Sequence, residues 1–300
     1  MNADKLRSLV LVWTAMLILS VSALGQTVVP TIVTEKPHPI FVPADTHQLA
    51  SKLMGRSMPY RIILPSGYNN SNESSRYSVV YLLHGLTGHF NNWTDKTKLS
   101  EYALKQNLII VTPEGDNGWY TDSVSTANDK YESYIVKELI PEIDKKFRTL
   151  ADREHRVIAG LSMGGYGSIK FGLKYADKFS LVGSFSGALG AASFNEKNAG
   201  AIGKGIDTIY GLDDSDTRRS NDIFRMIREI TPEKVKVTPF IYLSCGTEDF
   251  LFQNNRDFNS LLIEKKVPHE YREHPGGHTW TFWDAQVREF LAVADRMTKK

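Results

Sequence analysis

Arg156-Val-Ile-Ala-Gly-Leu-Ser-Met-Gly-Gly-Tyr-Gly-Ser-Ile-Lys-Phe171 is the stretch on which the reading of this chain turns. Arg156 to Ala159 reads as a short buried strand, and a helix is expected over roughly Gly164 to Tyr175. Between them, Gly160-Leu-Ser162-Met-Gly164 has the form G-x-S-x-G. A pentapeptide of this kind can arise by chance, but strand, turn and helix around it are the context a nucleophile elbow needs. The reason is steric. A serine raised above a sheet on a sharp turn sits in a strained backbone conformation, and its flanking positions must lack a Cβ where strand and helix approach. Ser162 is therefore the candidate nucleophile.

Outward from this point, strands and helices alternate. Pro59 to Leu64, Tyr77 to Leu83, Leu108 to Thr112, Leu181 to Phe185, Phe240 to Ser244 and Val267 to Arg272 read as strands. Helices are expected near Lys96 to Gln106, over Tyr131 to Phe147 with Pro141 kinking or ending it, and from Trp283 to Met297. In the last of these, Val287, Phe290, Leu291 and Ala294 form a core-facing stripe. The rhythm is that of a mostly parallel central sheet with helices on both faces. It stops between Gly190 and Pro232, where a Gly-, Asn- and Asp-rich stretch reads as a short insertion over the carboxyl edge of the sheet, with one helix near Asn221 to Ile230. The cluster Asp213 to Asp216 lacks the Gly and terminal Glu of a calcium loop and reads as a solvated turn.

Three hundred residues, 41% apolar and 23% charged, describe an ordinary globular chain with one large domain. A formal net charge of +2 without a long basic run gives no footprint of nucleic-acid binding. Lys5 and Arg7 precede an apolar run from Leu9 to Val21, followed by small residues through Gly25. That is the pattern of a signal peptide over residues 1–25, with a core shorter than the roughly 20 residues that span a bilayer. Residues 26–50 read as an extended lead-in ending in an edge strand, and 51–300 as the main domain. The mature chain is expected to be secreted or periplasmic, without stable membrane insertion. Its one cysteine, Cys245, excludes an intramolecular disulfide, so the fold must stand on its core.

A serine hydroxyl needs a base, and on this kind of sheet the partners follow in the order Ser, acid, His. Of the histidines after Ser162, His269 lies on an expected strand and His274 precedes Pro275. His278 follows Gly276-Gly277 on a loop before the last helix, and is the preferred base. Asp249 follows the strand Phe240 to Ser244 directly, at the edge where open α/β sheets build their sites, with Glu248 as the alternative acid. Two backbone N–H groups should receive the oxyanion, those of Met163 and of Leu86 in the loop His84-Gly-Leu-Thr-Gly88. His84 reads as a brace for that loop. Trp119, Tyr120 and Trp280 are candidates to line a substrate pocket, or else to pack around loops. Glu273, His274 and His278 could suggest a metal site, yet a Pro-Gly-Gly loop lacks the helix that gathers such ligands, so neither metal nor cofactor is expected.

The ordered set Leu82-Leu-His-Gly-Leu-Thr-Gly88, Asn92-Trp93, Gly160-Leu-Ser-Met-Gly-Gly165, Cys245-Gly-Thr-Glu-Asp249 and Gly277-His-Thr-Trp280 resembles the esterase D family over roughly residues 50–297. That family groups S-formylglutathione hydrolases, short-chain acyl esterases, feruloyl and acetyl esterases, and mycolyltransferases of the antigen 85 type. The resemblance implies an α/β-hydrolase fold, Ser162, Asp249 and His278 as a triad, and Leu86 and Met163 as oxyanion donors. The expected activity is that of an exported serine carboxylesterase acting on short-chain or aryl esters, small molecules or oligosaccharides, through an acyl-enzyme on Ser162. A thioesterase of the S-formylglutathione hydrolase kind and an acyltransferase of the mycolyltransferase kind are the alternatives, the former opposed by the export signal.

Overall fold

The continuous apolar runs of the sequence become strands buried on both faces. The computed structural model describes residues 44–299, so the expected signal peptide and most of the expected lead-in lie outside the described residues. Among them is one eight-stranded sheet in the order β1-β2-β4-β3-β5-β6-β7-β8, where β1 is Asp45–Ser51, β2 Arg56–Ile63, β3 Ser78–Leu83, β4 Leu108–Pro113, β5 Arg156–Leu161, β6 Leu181–Phe185, β7 Phe240–Gly246 and β8 His269–His274. The β1–β2 and β2–β4 pairs are antiparallel, and the remaining pairs are parallel. β1 is the edge strand at the end of the lead-in.

Alternation along each strand separates two cores. Val79, Tyr81 and Leu83 face one with Met163, Tyr166 and Ile169, while Val80 and Leu82 face the other with Leu99, Val287 and Phe290. The closing helix Trp280–Thr298 covers that second face, burying Val287, Phe290, Leu291 and Ala294 completely. Each such large apolar side chain contributes roughly 1.5–3 kcal/mol of transfer free energy.

Several elements depart from expectation. The helix at Lys96 to Gln106 is two pieces, Asn92–Lys96 and Leu99–Ala103, because Thr97 turns extended and Asp284 takes the Lys98 amide at 2.7 Å. Around Pro141 the chain runs as helix Tyr131–Tyr134, a π-helical turn Ile135–Leu139 and helix Ile140–Lys146. The wider turn accommodates a ring that cannot donate to the carbonyl four residues back. Helix Phe252–Glu264, between β7 and β8, was not expected. Its buried residues are only Asn255, Phe258 and Leu262, and the polar Asn255 interrupts the stripe. After a 3-10 turn at Ala191–Ser193 the insertion holds four α-helices, Glu196–Tyr210, Asp216–Ser220, Ile223–Arg228 and, at its end, Pro232–Val237.

Register fixes where the site falls. Leu83 pairs with Gly160, Leu161 with Phe185, and Phe185 with Ser244, so the parallel strands end together and their loops leave from one edge.

Candidate active site

Ser162 follows β5 immediately, and its backbone is held at φ 51°, ψ −115°, a region that costs an L-residue of order 1–3 kcal/mol. Three hydrogen bonds hold that geometry: the Ser162 amide donates to Phe185 O, and its carbonyl accepts from Tyr166 and Ala188, each at 3.0 Å. The flanking glycines follow from contact. A Cβ on Gly160 would lie 2.5 Å from the Gly164 carbonyl, and one on Gly164 would lie 2.5 Å from Leu83 O. The side chain is left partly exposed at the floor of a cleft.

His278, in the loop between β8 and the closing helix, joins two of the expected residues. Its Nε2 lies 3.0 Å from Ser162 Oγ and its Nδ1 lies 2.9 Å from Asp249 Oδ2. A carboxylate can only accept, so Nδ1 carries the proton and donates to Asp249, leaving Nε2 to accept from the hydroxyl. Asp249 is 5% exposed, and its Oδ1 accepts from the Leu251 amide at 2.8 Å. Burial pushes its carboxyl up, but the hydrogen bonds from His278 and the Leu251 amide outweigh that and hold it below its ordinary range. Glu248 is exposed and turned away, accepting from Thr247 Oγ1 and from the Gly276 amide. His269 is bonded to Val267 O and Asn259, and His274 ends β8; neither ring is bonded to Ser162 or Asp249. Glu273 pairs with Arg256, and among the described residues no group of three or more His, Cys, Asp or Glu is gathered as for a metal ion.

The loop after β3 abuts the serine: a Cβ on Gly85 would meet the Leu161 side chain at 2.5 Å and Ser162 Cβ at 3.4 Å. Leu86 lines the cleft. The Met163 amide is the first of the helix Met163–Lys174, where an N–H has no intrahelical acceptor. His84 is buried, its Nδ1 2.8 Å from Gly85 O and its Nε2 3.2 Å from Glu114.

Glu114, which nothing in the sequence singled out, ties this loop to the next. Its carboxylate also accepts from the amides of Phe90, Gly115 and Asp116 and lies 3.3 Å from His89 Nδ1. Burial pushes its pKa up, but His84 and the backbone amides prevail and bring it down to about 2. An acid directly after the apolar run Leu108–Pro113, followed by Gly115, was the only trace in the sequence. Lys170, also unforeseen, is fully buried. Its ammonium donates to Tyr120 O and Thr121 Oγ1, each at 2.6 Å, and pairs with Glu132 at 2.9 Å. It pins a turn in which Trp119 and Tyr120 both have positive φ, 50° and 52°.

The pocket expectation needs one correction. Trp119 and Trp280 line the cleft, but Tyr120 does not. The two positive-φ residues reverse the chain, so Tyr120 points inward, fills the space beside Gly115 and Gly167, and donates to His84 O at 2.9 Å. Trp283, Phe194 and Ile202 take part in its place, and the cleft volume is about 780 Å³, within the range of ordinary small-molecule sites. Cys245 is buried behind the site, its thiol pushed up to about 12 by burial, and so carries no reactive thiolate.

An elbow serine bonded to an imidazole that a buried carboxylate orients defines a class of hydrolase rather than one protein. The family model described as "Putative esterase" matches residues 51–292, and the chain belongs to that family. It is 29% identical over 247 residues to an acetyl esterase of Caldicellulosiruptor saccharolyticus, an alignment covering 79% of this chain and 92% of the relative. Among solved structures it matches a ferulic acid esterase with TM-score 0.73 and 26% identity, and the substrate-bound fluorophosphonate-binding serine hydrolase F of Staphylococcus aureus with TM-score 0.74 and 26% identity. Both superpositions cover 86% of this chain and 99% of the other. The fold is the α/β-hydrolase fold, and the chain is a serine hydrolase of carboxylic esters.

Proposed function

We propose that the protein is an exported serine carboxylesterase that hydrolyses short-chain or aryl esters through an acyl-enzyme on Ser162. The observation that carries the reading is the unbroken relay from Ser162 Oγ through His278 to Asp249, opening on the cleft floor. Ser162 Oγ attacks the ester carbonyl as Nε2 of His278 takes its proton, and the oxyanion meets the amides of Leu86 and Met163. The imidazolium, steadied by Asp249, returns that proton to the departing alkoxide. The His278 base then activates water, which splits the acyl-enzyme and frees Ser162 with the carboxylic acid.

Support for the substrate class is the cleft wall of Leu86, Trp119, Phe194, Trp280 and Trp283, with two of the matched proteins named an acetyl esterase and a ferulic acid esterase. Aromatic or short acyl groups gain burial there while losing little rotamer freedom. Support for export is the charged, apolar and small-residue order of residues 1–25.

The test is a p-nitrophenyl ester series from C2 to C16, with methyl ferulate and S-formylglutathione alongside, run on wild type and Ser162→Ala. The expected outcome is a short-acyl optimum, with kcat/KM falling beyond about eight carbons, complete fluorophosphonate labelling of wild type, and no labelling or hydrolysis by Ser162→Ala. A residual activity within tenfold would remove Ser162 from its role, and a preference for C12 or longer, or for the thioester, would overturn the substrate class.

A further inference from the structure

The cleft wall beside His278 carries one feature that plain ester hydrolysis does not use. Of the described residues lining the cleft, Lys96 is the only Lys or Arg, and no Asp or Glu is among them. Its ammonium sits 5.3 Å from the centroid of the Trp280 ring. The carboxylates next along the chain from Lys96 and Trp280 are engaged elsewhere. Asp95 pairs with Arg61 and accepts from Asn91, while Asp284, one turn beyond Trp280, accepts from the Lys98 amide and Tyr102. Among the described residues Lys96 has no acidic partner within 4.0 Å.

Its position relative to the proton relay gives this cation a direction. The rings of His278 and Trp283 meet edge to face at 4.8 Å, and those of Trp283 and Trp280 at 5.2 Å, so His278, Trp283, Trp280 and Lys96 form a continuous row along one wall. In acyl transfer from serine, the imidazolium gives its proton to the leaving oxygen, which must therefore stand on the His278 side. The row begins at His278, the proton donor to the leaving oxygen, and ends at Lys96. A cation resting on an indole face gains only about 0.5–1 kcal/mol at an exposed site, and its ammonium protons remain free to meet an anion.

Resting on the esterase reading above, we infer that Lys96 and Trp280 form a leaving-group subsite for esters whose alcohol bears an anionic substituent, a carboxylate on a ring being the chemistry that fits a flat indole followed by an ammonium. The specificity this adds lies on the alcohol side, not the acyl side.

Phenyl acetate and 4-acetoxybenzoate differ by one carboxylate on the leaving phenol, and monophenyl succinate carries its charge on the acyl group instead. For each, kcat/KM is measured with wild type, Lys96→Gln and Lys96→Arg. Dividing each enzyme's 4-acetoxybenzoate value by its phenyl acetate value, then comparing enzymes, cancels the intrinsic reactivity of the two phenols. The expected result is a ratio about two- to fivefold higher in wild type than in Lys96→Gln, mostly kept by Lys96→Arg and compressed in 0.5 M NaCl, as an exposed charge pair requires. Equal ratios in wild type and Lys96→Gln overturn the inference, as does a Lys96 dependence confined to monophenyl succinate. Failure of wild type to hydrolyse any of the three, or hydrolysis by Ser162→Ala, overturns instead the esterase reading beneath it.

Discussion

In the floor of the cleft there is no room for an added atom: Gly160, Gly164 and the Leu83 carbonyl lie so close that a single Cβ would fall 2.5 Å from backbone. The wall built by residues 190–238 is held differently. Its long helix Glu196–Tyr210 is broken by non-helical Ala199 and Gly200, and much of it is exposed. What fixes it is side-chain bonding: buried Arg218 donates to the carbonyls of Ala192, Phe194 and Gly211 and pairs with Asp207. Tyr210 donates to Tyr166 on the elbow helix at 2.7 Å, docking the wall on the floor. Chemistry rests on backbone that cannot be repacked, and recognition rests on side chains that can.

The comparison is sharpest at the proton relay, where the largest effect is expected. Asp249→Asn keeps the volume but presents the wrong hydrogen-bonding partner to His278 Nδ1, and should lower kcat on p-nitrophenyl acetate by about 10⁴. Glu248→Gln, one residue away on the exposed side, should cost less than about tenfold. A reversal of these two would place the acid at Glu248.

One substitution type should act with opposite signs in the two regions. Gly164→Ala forces a Cβ against the Leu83 and His84 carbonyls and should destabilise by about 3 kcal/mol, with loss of esterase activity. Gly205→Ala lies in the wall helix, exposed and with nothing within 4 Å of the new methyl, and should stabilise by about 0.5–1 kcal/mol through helix propensity. Urea melts of both variants decide it. If Gly164→Ala melts like wild type, the floor is not the rigid element described above.

The same division accounts for what the sequence disclosed. The floor was legible because its constraints act on the backbone and leave residue types at fixed spacing: glycines around Ser162, apolar runs for strands buried on both faces, and an acid and a histidine each one loop past a strand. The inward turn of Tyr120 was not legible, since it depends on two adjacent positive-φ residues pinned by Lys170, more than forty positions along the chain. The role of Glu114 was hidden for a similar reason, its partners being assembled by two separate loops. The helices of the wall are short or broken, so their apolar positions span few turns, yet all four of their starts were marked. Ser215, Asp222 and Thr231 each accept from a backbone amide three residues on, and Asn195 forms a capping box.

The last expected effect separates the two regions by acid. The loop that carries Leu86 is tied by the Glu114 carboxylate, whereas three of the four groups that Arg218 binds in the wall are carbonyls, which do not titrate. Glu114 has its pKa lowered from 4.5 to about 2 in the folded chain. A carboxyl whose folded pKa is depressed contributes stability that is fully present above the unfolded value and is lost as pH falls through the folded one. For Glu114 that window runs from pH 4.5 down to about 2. Glu114→Gln should therefore lower Tm by a few degrees at pH 7, and the gap to wild type should close through this window, because the amide has no charge to lose. Glu132, paired with Lys170 and Lys174, is also lowered to about 2 and stays in both proteins, so the common acid limb subtracts out. Calorimetric melts of the two proteins between pH 7 and 2.5 make the measurement. A Tm difference that stays constant over that range would mean that Glu114 holds the loop by shape alone and that its charge contributes nothing.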